Sequence, residues 1–218
     1  MHIGILGAGP MGAKLGTVFA RAGHQVVFSY SRSEAKLKSL ARKARHDARA
    51  GTPREAAEAG VLLLAVPWSQ VDDALGKAGD LSGKILLTCT LPMNDDNTEL
   101  VVAHNSSGAE ELAKRAKGAR VVSAFSTVPS EVLFAVFRHR ARSPRPNVVY
   151  CGDEGQAKDV VADLIRDAGF DPVSVGALSM ARYIEPFTLL IGQLAYGGDE
   201  SPALAYRFER LQEEEELS

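Results

Sequence analysis

Met1-His2-Ile3-Gly4-Ile5-Leu6-Gly7-Ala8-Gly9-Pro10-Met11-Gly12 is the stretch that decides the fold of this chain. A short apolar strand runs directly into the pattern G-x-G-x-x-G, and an amphipathic helix follows at once. In that context Gly7 permits a tight turn, Gly9 lets the backbone approach a pyrophosphate, and Gly12 allows close packing of the helix on the strand. The free N–H groups at the helix N-terminus favour phosphate. We therefore predict a dinucleotide site formed by Gly7, Ala8, Gly9, Pro10, Met11 and Gly12.

The end of the second predicted strand distinguishes between two dinucleotides. An NAD-preferring site places Asp or Glu there to hold the ribose 2′-hydroxyl. This chain instead reads Ser31-Arg32-Ser33, with Lys36 one turn further on. Arg32 can bind a 2′-phosphate with its planar guanidinium group, and Ser31 can donate a hydrogen bond to it. The sequence thus predicts NADP as cofactor; the structural alternative is a solvated basic helix start capped by Ser33.

Two further predicted strands end in residues that suit a ligand site. The run Val61–Val66 is apolar without alternation, as in a parallel strand buried on both faces. In doubly wound sheets, ligands bind beyond the carboxyl ends of the strands. We therefore expect Val66, Pro67 and Trp68 beside the adenosine or nicotinamide, and Ser126 on the same side. For Trp68, a half-buried ring after a strand-terminating proline is the alternative.

The alternation of strands and helices predicts an α/β fold, with a Rossmann-type doubly wound, mostly parallel sheet. We expect an NADP-binding domain over residues 1–129 and a smaller C-terminal α/β part over residues 130–218. Leu178 to Tyr196 reads as a long final helix that is apolar nearly all round, so we expect it to form a homodimer interface. A kink or break is expected at Pro186, and the run Glu213–Glu216 is expected to fray.

Composition excludes several classes of function. The 218 residues are 45% hydrophobic and 24% charged with a net charge of -2, so nothing favours nucleic acid or an anionic membrane as partner. Cys89 and Cys151 lie far apart, without metal or redox spacing, and Asp95-Asp96 has no further ligands near it, so we expect no metal. The sequence shows no signal peptide and no apolar run near the ~20 residues of a membrane span. A cytoplasmic protein is expected.

With these pieces in place, the sequence resembles the NADP oxidoreductases that depend on the deazaflavin coenzyme F420. The resemblance runs along nearly the whole chain. It implies that the glycine loop holds the pyrophosphate, that Ser31, Arg32 and Lys36 hold the 2′-phosphate, and that Val66 to Trp68 lie along the cofactor. The motifs that carry it are Gly7-Ala8-Gly9-Pro10-Met11-Gly12, Ser31-Arg32 with Lys36, Val66-Pro67-Trp68, Ser123-Ala124-Phe125-Ser126-Thr127-Val128-Pro129, Cys151-Gly152-Asp153 and Ala181-Arg182-Tyr183-Ile184-Glu185-Pro186.

The same resemblance implies a reaction in which the nicotinamide and deazaflavin rings stack and hydride passes directly between them. Such a transfer needs positioning but no side-chain acid or base, so we expect no catalytic residue. There is one departure, since the archaeal enzymes carry His where this chain has Ser126. The small-molecule hydride acceptor is therefore left open between F420, a flavin such as FMN or FAD, a quinone and a small carbonyl compound.

Two other functions compete with this one. Hydroxyacid dehydrogenases and imine reductases also open with G-x-G-x-M-G, but the former need a catalytic lysine on a helix after the sheet. No lysine follows Lys158, and the chain is short for their helical domain. An NADP(H)-sensing protein without its own catalysis fits the lack of an acid/base constellation equally well. The surface loop 94–106 and the basic loop Arg138–Arg145 have no assigned role.

Overall fold

The strands assemble into one eight-stranded sheet in a computed structural model that describes residues 1–211. The strand order is β3-β2-β1-β4-β5-β6-β7-β8. The strands are β1 (His2–Leu6), β2 (Gln25–Ser29), β3 (Arg49–Ala50), β4 (Val61–Leu64), β5 (Ile85–Thr88), β6 (Arg120–Ala124), β7 (Asn147–Gly152) and β8 (Asp171–Ser174).

Helices connect the strands and cover both faces of the sheet. Several begin at the side-chain caps that their sequences favour, with Ser33 capping α2 and a complete Thr52–Glu55 capping box starting α3. The helices are α1 (Pro10–Arg21), α2 (Glu34–Ala44), α3 (Pro53–Ala57), α4 (Val71–Ala78), α5 (Gly108–Arg115), α6 (Leu133–Arg138), α7 (Gly155–Asp167) and α8 (Ala181–Tyr196).

Strands β1 to β6 are parallel, and their order reverses between β1 and β4. Strand β1 pairs with β2 on one side and with β4 on the other, so that Leu6 lies between Ser29 and Leu64. Strands β4 and β5 are buried along their whole length, as a parallel strand covered on both faces should be. The predicted doubly wound, mostly parallel α/β fold is confirmed, with its topological switch point directly after β1.

The C-terminal part extends the same sheet. Strand β7 pairs antiparallel with β6, with Cys151 opposite Ser123, and β8 pairs parallel with β7. Both parts of the chain therefore share one set of backbone hydrogen bonds, and the domain boundary expected at residue 129 stays a prediction. The run Glu213–Glu216 lies outside the described residues.

Helix α8 continues through Pro186 without the break that the sequence allowed for. Pro186 removes one bond, to the carbonyl group of Arg182, near the start of the helix. Contacts on both sides of the proline hold the helix in place, because Glu185 binds backbone N–H groups of α5 and the Thr188 hydroxyl donates to the carbonyl oxygen of Ile184 at 2.9 Å. The outer face of α8 exposes Tyr183, Leu190, Leu194 and Tyr196. The homodimer stays a prediction.

Candidate dinucleotide-binding site

The turn after β1 is built from glycines with two different duties. Gly7 has a φ of +119°, and a Cβ atom there would collide with the carbonyl oxygen of Ala65. A Cβ atom on Gly12 would collide with the carbonyl oxygen of Gly7. A Cβ atom on Gly9, by contrast, would have nothing within 4 Å. Gly7 and Gly12 are thus required by packing, whereas Gly9 leaves an open cradle in front of α1.

The N-terminus of α1 opens onto this cradle. Gly9 is its N-cap residue and offers no side-chain cap, Pro10 occupies the first turn, and that turn contains no acidic residue. The backbone N–H groups of Met11 and Gly12 therefore have no side-chain acceptor at the positive end of the helix dipole. Such a terminus suits a phosphate group.

A cavity of about 850 Å³ extends from the cradle over the carboxyl ends of β1, β2 and β4. The structure brings eight of the predicted cofactor residues to its walls: Gly7, Ala8, Gly9, Ser31, Arg32, Lys36, Val66 and Pro67. It places five others outside the lining: Pro10, Met11, Gly12, Trp68 and Ser126. The pyrophosphate cradle and the predicted 2′-phosphate residues therefore share one continuous space.

The corner of the cavity after β2 carries unneutralised positive charge. The Ser31 hydroxyl accepts from the backbone N–H of Ser33 at 3.1 Å, which fixes the turn that presents Arg32. Within residues 1–211, neither Arg32 nor Lys36 forms a salt bridge. The acidic neighbour Glu34 is paired with Lys38 at 2.6 Å. A doubly charged phosphate monoester would find both a guanidinium and an ammonium group here.

Tyr30 forms part of the cavity wall that the sequence motifs did not reveal. Its φ of 58° lies in the left-handed region, and its hydroxyl donates to Asp73 Oδ2 of α4 at 2.7 Å. The Lys77 ammonium lies 5.4 Å from the centre of the Tyr30 ring. Burial, reinforced by the Asp73 carboxylate, raises the pKa of Tyr30 to about 12. No short motif signals these contacts, because they join residues 43 positions apart.

Trp68 and Ser126 point to other neighbours. The Arg115 guanidinium lies 4.5 Å from the centre of the Trp68 ring, which packs against the core on the α4–α5 side of the sheet. The hydroxyl oxygens of Ser126 and Thr188 of α8 lie 3.4 Å apart. Direct cofactor contact by either residue stays a prediction.

A buried carboxylate joins α8 to α5. Glu185 is 2% exposed, and its oxygens accept from the backbone N–H groups of Gly108 and Ala109 at 2.8 and 3.0 Å. Burial raises its pKa to about 7, although the two N–H groups act in the opposite direction. One turn away, Arg182 binds both oxygens of Glu110, at 2.6 and 2.9 Å. In the sequence, Arg182 and Glu185 stand out only as part of the family motif 181–186. In the structure, they hold the start of α5, where loop 94–106 ends.

Other functional chemistry is sparse in the described part of the chain. Cys89 and Cys151 are free, and burial raises the pKa of each thiol to about 12, so both are poor nucleophiles. Residues 1–211 contain no cluster of three metal-ligating side chains. Over the same residues, no helix has the length and apolarity that crossing a membrane requires.

A doubly wound sheet with a glycine cradle at its switch point defines a Rossmann-type dinucleotide-binding protein. Residues 2–92 match the family described as NADP oxidoreductase coenzyme F420-dependent. The chain is also 29% identical to the F420-dependent NADP reductase of Methanocaldococcus jannaschii, over 88% of this chain and 92% of that protein. These matches confirm the resemblance to NADP-dependent oxidoreductases that the motifs predict.

Two further relatives extend the comparison. Metalloreductase STEAP3 of Rattus norvegicus is 30% identical over 86% of this chain, but this chain spans only 36% of that protein. The crystal structure of a putative F420-dependent NADP-reductase from Arthrobacter sp. FB24 superimposes with a TM-score of 0.83 at 22% identity, covering 95% of this chain and 99% of that one. The latter likeness supports the fold.

Proposed function

We propose that this chain is an oxidoreductase that transfers a hydride between NADPH and deazaflavin F420 or a flavin-like acceptor such as FMN or FAD. The observation that carries the proposal is the single cavity that joins the Gly7–Gly9 cradle to Arg32 and Lys36. A dinucleotide with a 2′-phosphate needs both ends of that cavity. The family match and the M. jannaschii relative support the choice of F420 as the first acceptor to test.

The residues present fit NADP. The open space over Gly9 lets a pyrophosphate lie directly against the backbone, and the uncapped start of α1 supplies N–H donors for it. At the other end, Arg32 and Lys36 are the free cations that a 2′-phosphate requires, and no carboxylate replaces them at the end of β2.

The role of the chain in this reaction is to orient the cofactor and the acceptor, and no side chain needs to transfer a proton. When bound, NADPH supplies the hydride, and the reduced acceptor takes any proton it needs from solvent. Within the cavity, Tyr30 keeps its proton because its pKa is raised to about 12. Asp73 stays ionised because its hydrogen bond from Lys77 lowers its pKa. Neither group exchanges a proton near neutral pH, which agrees with a reaction that uses orientation alone.

An NADP(H)-binding sensor without its own catalysis is the second candidate. The observation in its favour is that the cavity lining reaches Pro67 but does not include Ser126, whose hydroxyl is engaged by Thr188. Ser126, the residue expected to face the acceptor, therefore contacts α8 and does not line the cavity. Turnover distinguishes the two candidates, since both predict binding.

The experiment mixes the purified chain with NADPH and, in separate reactions, F420, FMN and FAD, and follows absorbance at 340 nm. The enzyme proposal predicts loss of absorbance with at least one carrier. Tight NADPH binding by calorimetry with no turnover for any carrier would favour the sensor. No binding of NADPH at all would contradict both.

Arg32→Ala tests the choice of cofactor. We expect the dissociation constant for NADP to rise about 10- to 100-fold, because one or two charge-assisted hydrogen bonds of about 1.5–3 kcal/mol are lost. The constant for NAD should change little. Titration calorimetry with both cofactors measures the effect, and Arg54→Ala is the control, since Arg54 is an exposed arginine outside the cavity lining. Equal losses for NADP and NAD would show that Arg32 does not bind the 2′-phosphate.

A further inference from the structure

A second cavity, of about 700 Å³, lies on the outer side of α1, between α2 and α6. Five basic side chains line it and no carboxylate does: Lys14, Arg21, Arg42, Lys43 and Arg45. The Phe134 ring of α6 forms an apolar wall. None of these residues lines the dinucleotide cavity, so the two spaces are distinct.

Positive charge predominates around this cavity. Glu131 lies close enough to Lys14 for their charges to interact, but its carboxylate accepts a hydrogen bond from Tyr196. Within residues 1–211, none of the five cations forms a salt bridge, whereas other surface lysines such as Lys77 and Lys114 pair with a carboxylate. Yet the chain as a whole has a net charge of -2. The charge is therefore concentrated locally, against an excess of acidic residues elsewhere.

Two of the cations are held in place by neutral groups. Lys14 Nζ donates to the Ser130 hydroxyl at 3.1 Å, and Arg21 donates to the carbonyl oxygen of Lys43 at 3.2 Å. The Arg21 guanidinium also lies 5.8 Å from the centre of the Phe134 ring. These contacts order the side chains without using up their charge, which is the state that favours binding of an anion.

Helix electrostatics explain only part of this arrangement. Arg21 lies in the last turn of α1, and Arg42 and Lys43 lie in the last turn of α2, where cations stabilise the helix dipole. Lys14 lies in the first half of α1, where the dipole disfavours a cation. The dipole also gives no reason for the five charges to surround a concave space.

We propose that this cavity binds a small ligand with at least two anionic groups, of the oligophosphate or phosphorylated-metabolite type. Lys14 and Arg21 lie about 10 Å apart along α1 at a rise of ~1.5 Å per residue, and different partners hold them, Ser130 and the Lys43 carbonyl group, so the site suits a ligand with more than one anionic group. The arginines favour phosphate because their planar groups bind two phosphate oxygens at once. A concave site on a chain of net negative charge suits a small ligand better than a long polyanion.

The test titrates inorganic tripolyphosphate into the protein by calorimetry at physiological salt. All proteins carry Arg32→Ala, so that the phosphate-binding corner of the dinucleotide cavity is weakened. The test variants add Arg42→Gln with Lys43→Gln, or Lys14→Gln alone. The matched control adds Lys117→Gln, which removes one exposed lysine that lines neither cavity. Citrate is titrated in parallel to distinguish a phosphate ligand from a carboxylate ligand.

We expect tripolyphosphate to bind the Arg32→Ala protein and the Lys117→Gln control equally. Binding should be at least tenfold weaker in the Arg42→Gln, Lys43→Gln variant and measurably weaker in Lys14→Gln. Thermal unfolding should change only slightly, because Arg42 and Lys43 are exposed and each contributes about 0.3–1 kcal/mol through the helix dipole. Absence of binding at millimolar tripolyphosphate, or binding that both test variants retain, would overturn the proposal. Stronger binding of citrate than of tripolyphosphate would overturn the phosphate assignment.

Discussion

Gly9→Ala is expected to lower the affinity for NADP at least 100-fold while leaving the fold intact. Among residues 1–211, no heavy atom lies within 4 Å of the position of the new methyl group. It occupies the space in front of α1 through which a pyrophosphate would approach. The cost to stability should stay within about 1 kcal/mol, the usual penalty for alanine at an N-cap. Calorimetry with NADP and thermal unfolding measure the two effects separately.

Gly12→Ala is the matched control for that experiment. The same methyl group, three residues further on, collides with the carbonyl oxygen of Gly7 and forces α1 away from β1. We expect a loss of about 2–3 kcal/mol of stability, as for other overpacked interiors. If Gly9→Ala destabilised the fold as much as Gly12→Ala does, or bound NADP normally, the open cradle would not be the pyrophosphate site.

Local rules predicted the part of the fold that carries the cradle. The apolar strand, the glycine turn and the helix after it lie within 21 consecutive residues. The capping residues Ser33, Thr52 and Ser107 each accept the backbone hydrogen bond that their position favours. The parallel order of β1 to β6 agrees with connections long enough to cross over, whereas the equally long connection from β6 to β7 leads to an antiparallel pair.

The contacts that complete the site could not be predicted in this way, because they join distant elements. Tyr30 follows β2 and Asp73 lies in α4, so the two residues meet only after the sheet has brought these elements together. Trp68 follows β4 as expected, yet its ring packs under Arg115 of α5. The sequence determines where each side chain leaves the sheet, while tertiary packing determines which way it turns.

Helix α8 is a second example of a structure that depends on contacts between distant elements. Its apolar sequence predicted a long helix with a kink or break at Pro186, and no break occurs. The helix stays continuous because contacts on both sides of the proline hold it in place. Thr188 contacts the Ile184 carbonyl group within α8 and Ser126 after β6. Glu185 binds backbone N–H groups at the start of α5.

Glu185→Gln is expected to remove a pH dependence of stability that the wild type shows between about pH 4.5 and 7. The ordinary pKa of this carboxyl group is 4.5, and burial raises its pKa in the folded chain to about 7. Over that interval the unfolded chain releases a proton that the folded chain retains, so wild-type stability falls as the pH rises. This difference between the folded and unfolded pKa values corresponds to a change of about 3 kcal/mol in the free energy of unfolding.

Urea unfolding at several pH values from 4 to 8 measures this difference directly. The free energy of unfolding of the wild type minus that of Glu185→Gln should be larger at pH 4 than at pH 8. The glutamine variant should carry a constant cost of about 1–3 kcal/mol, because one amide N–H of α5 loses its acceptor.

Glu110→Gln is the control of opposite sign. Its hydrogen bonds from Arg182 lower the pKa of Glu110, so its contribution is present above the ordinary pKa and is lost as the pH falls. Parallel pH profiles for the wild type and Glu185→Gln would mean that the pKa of Glu185 is the same in the folded and unfolded chains, with the two N–H groups of α5 fully compensating its burial.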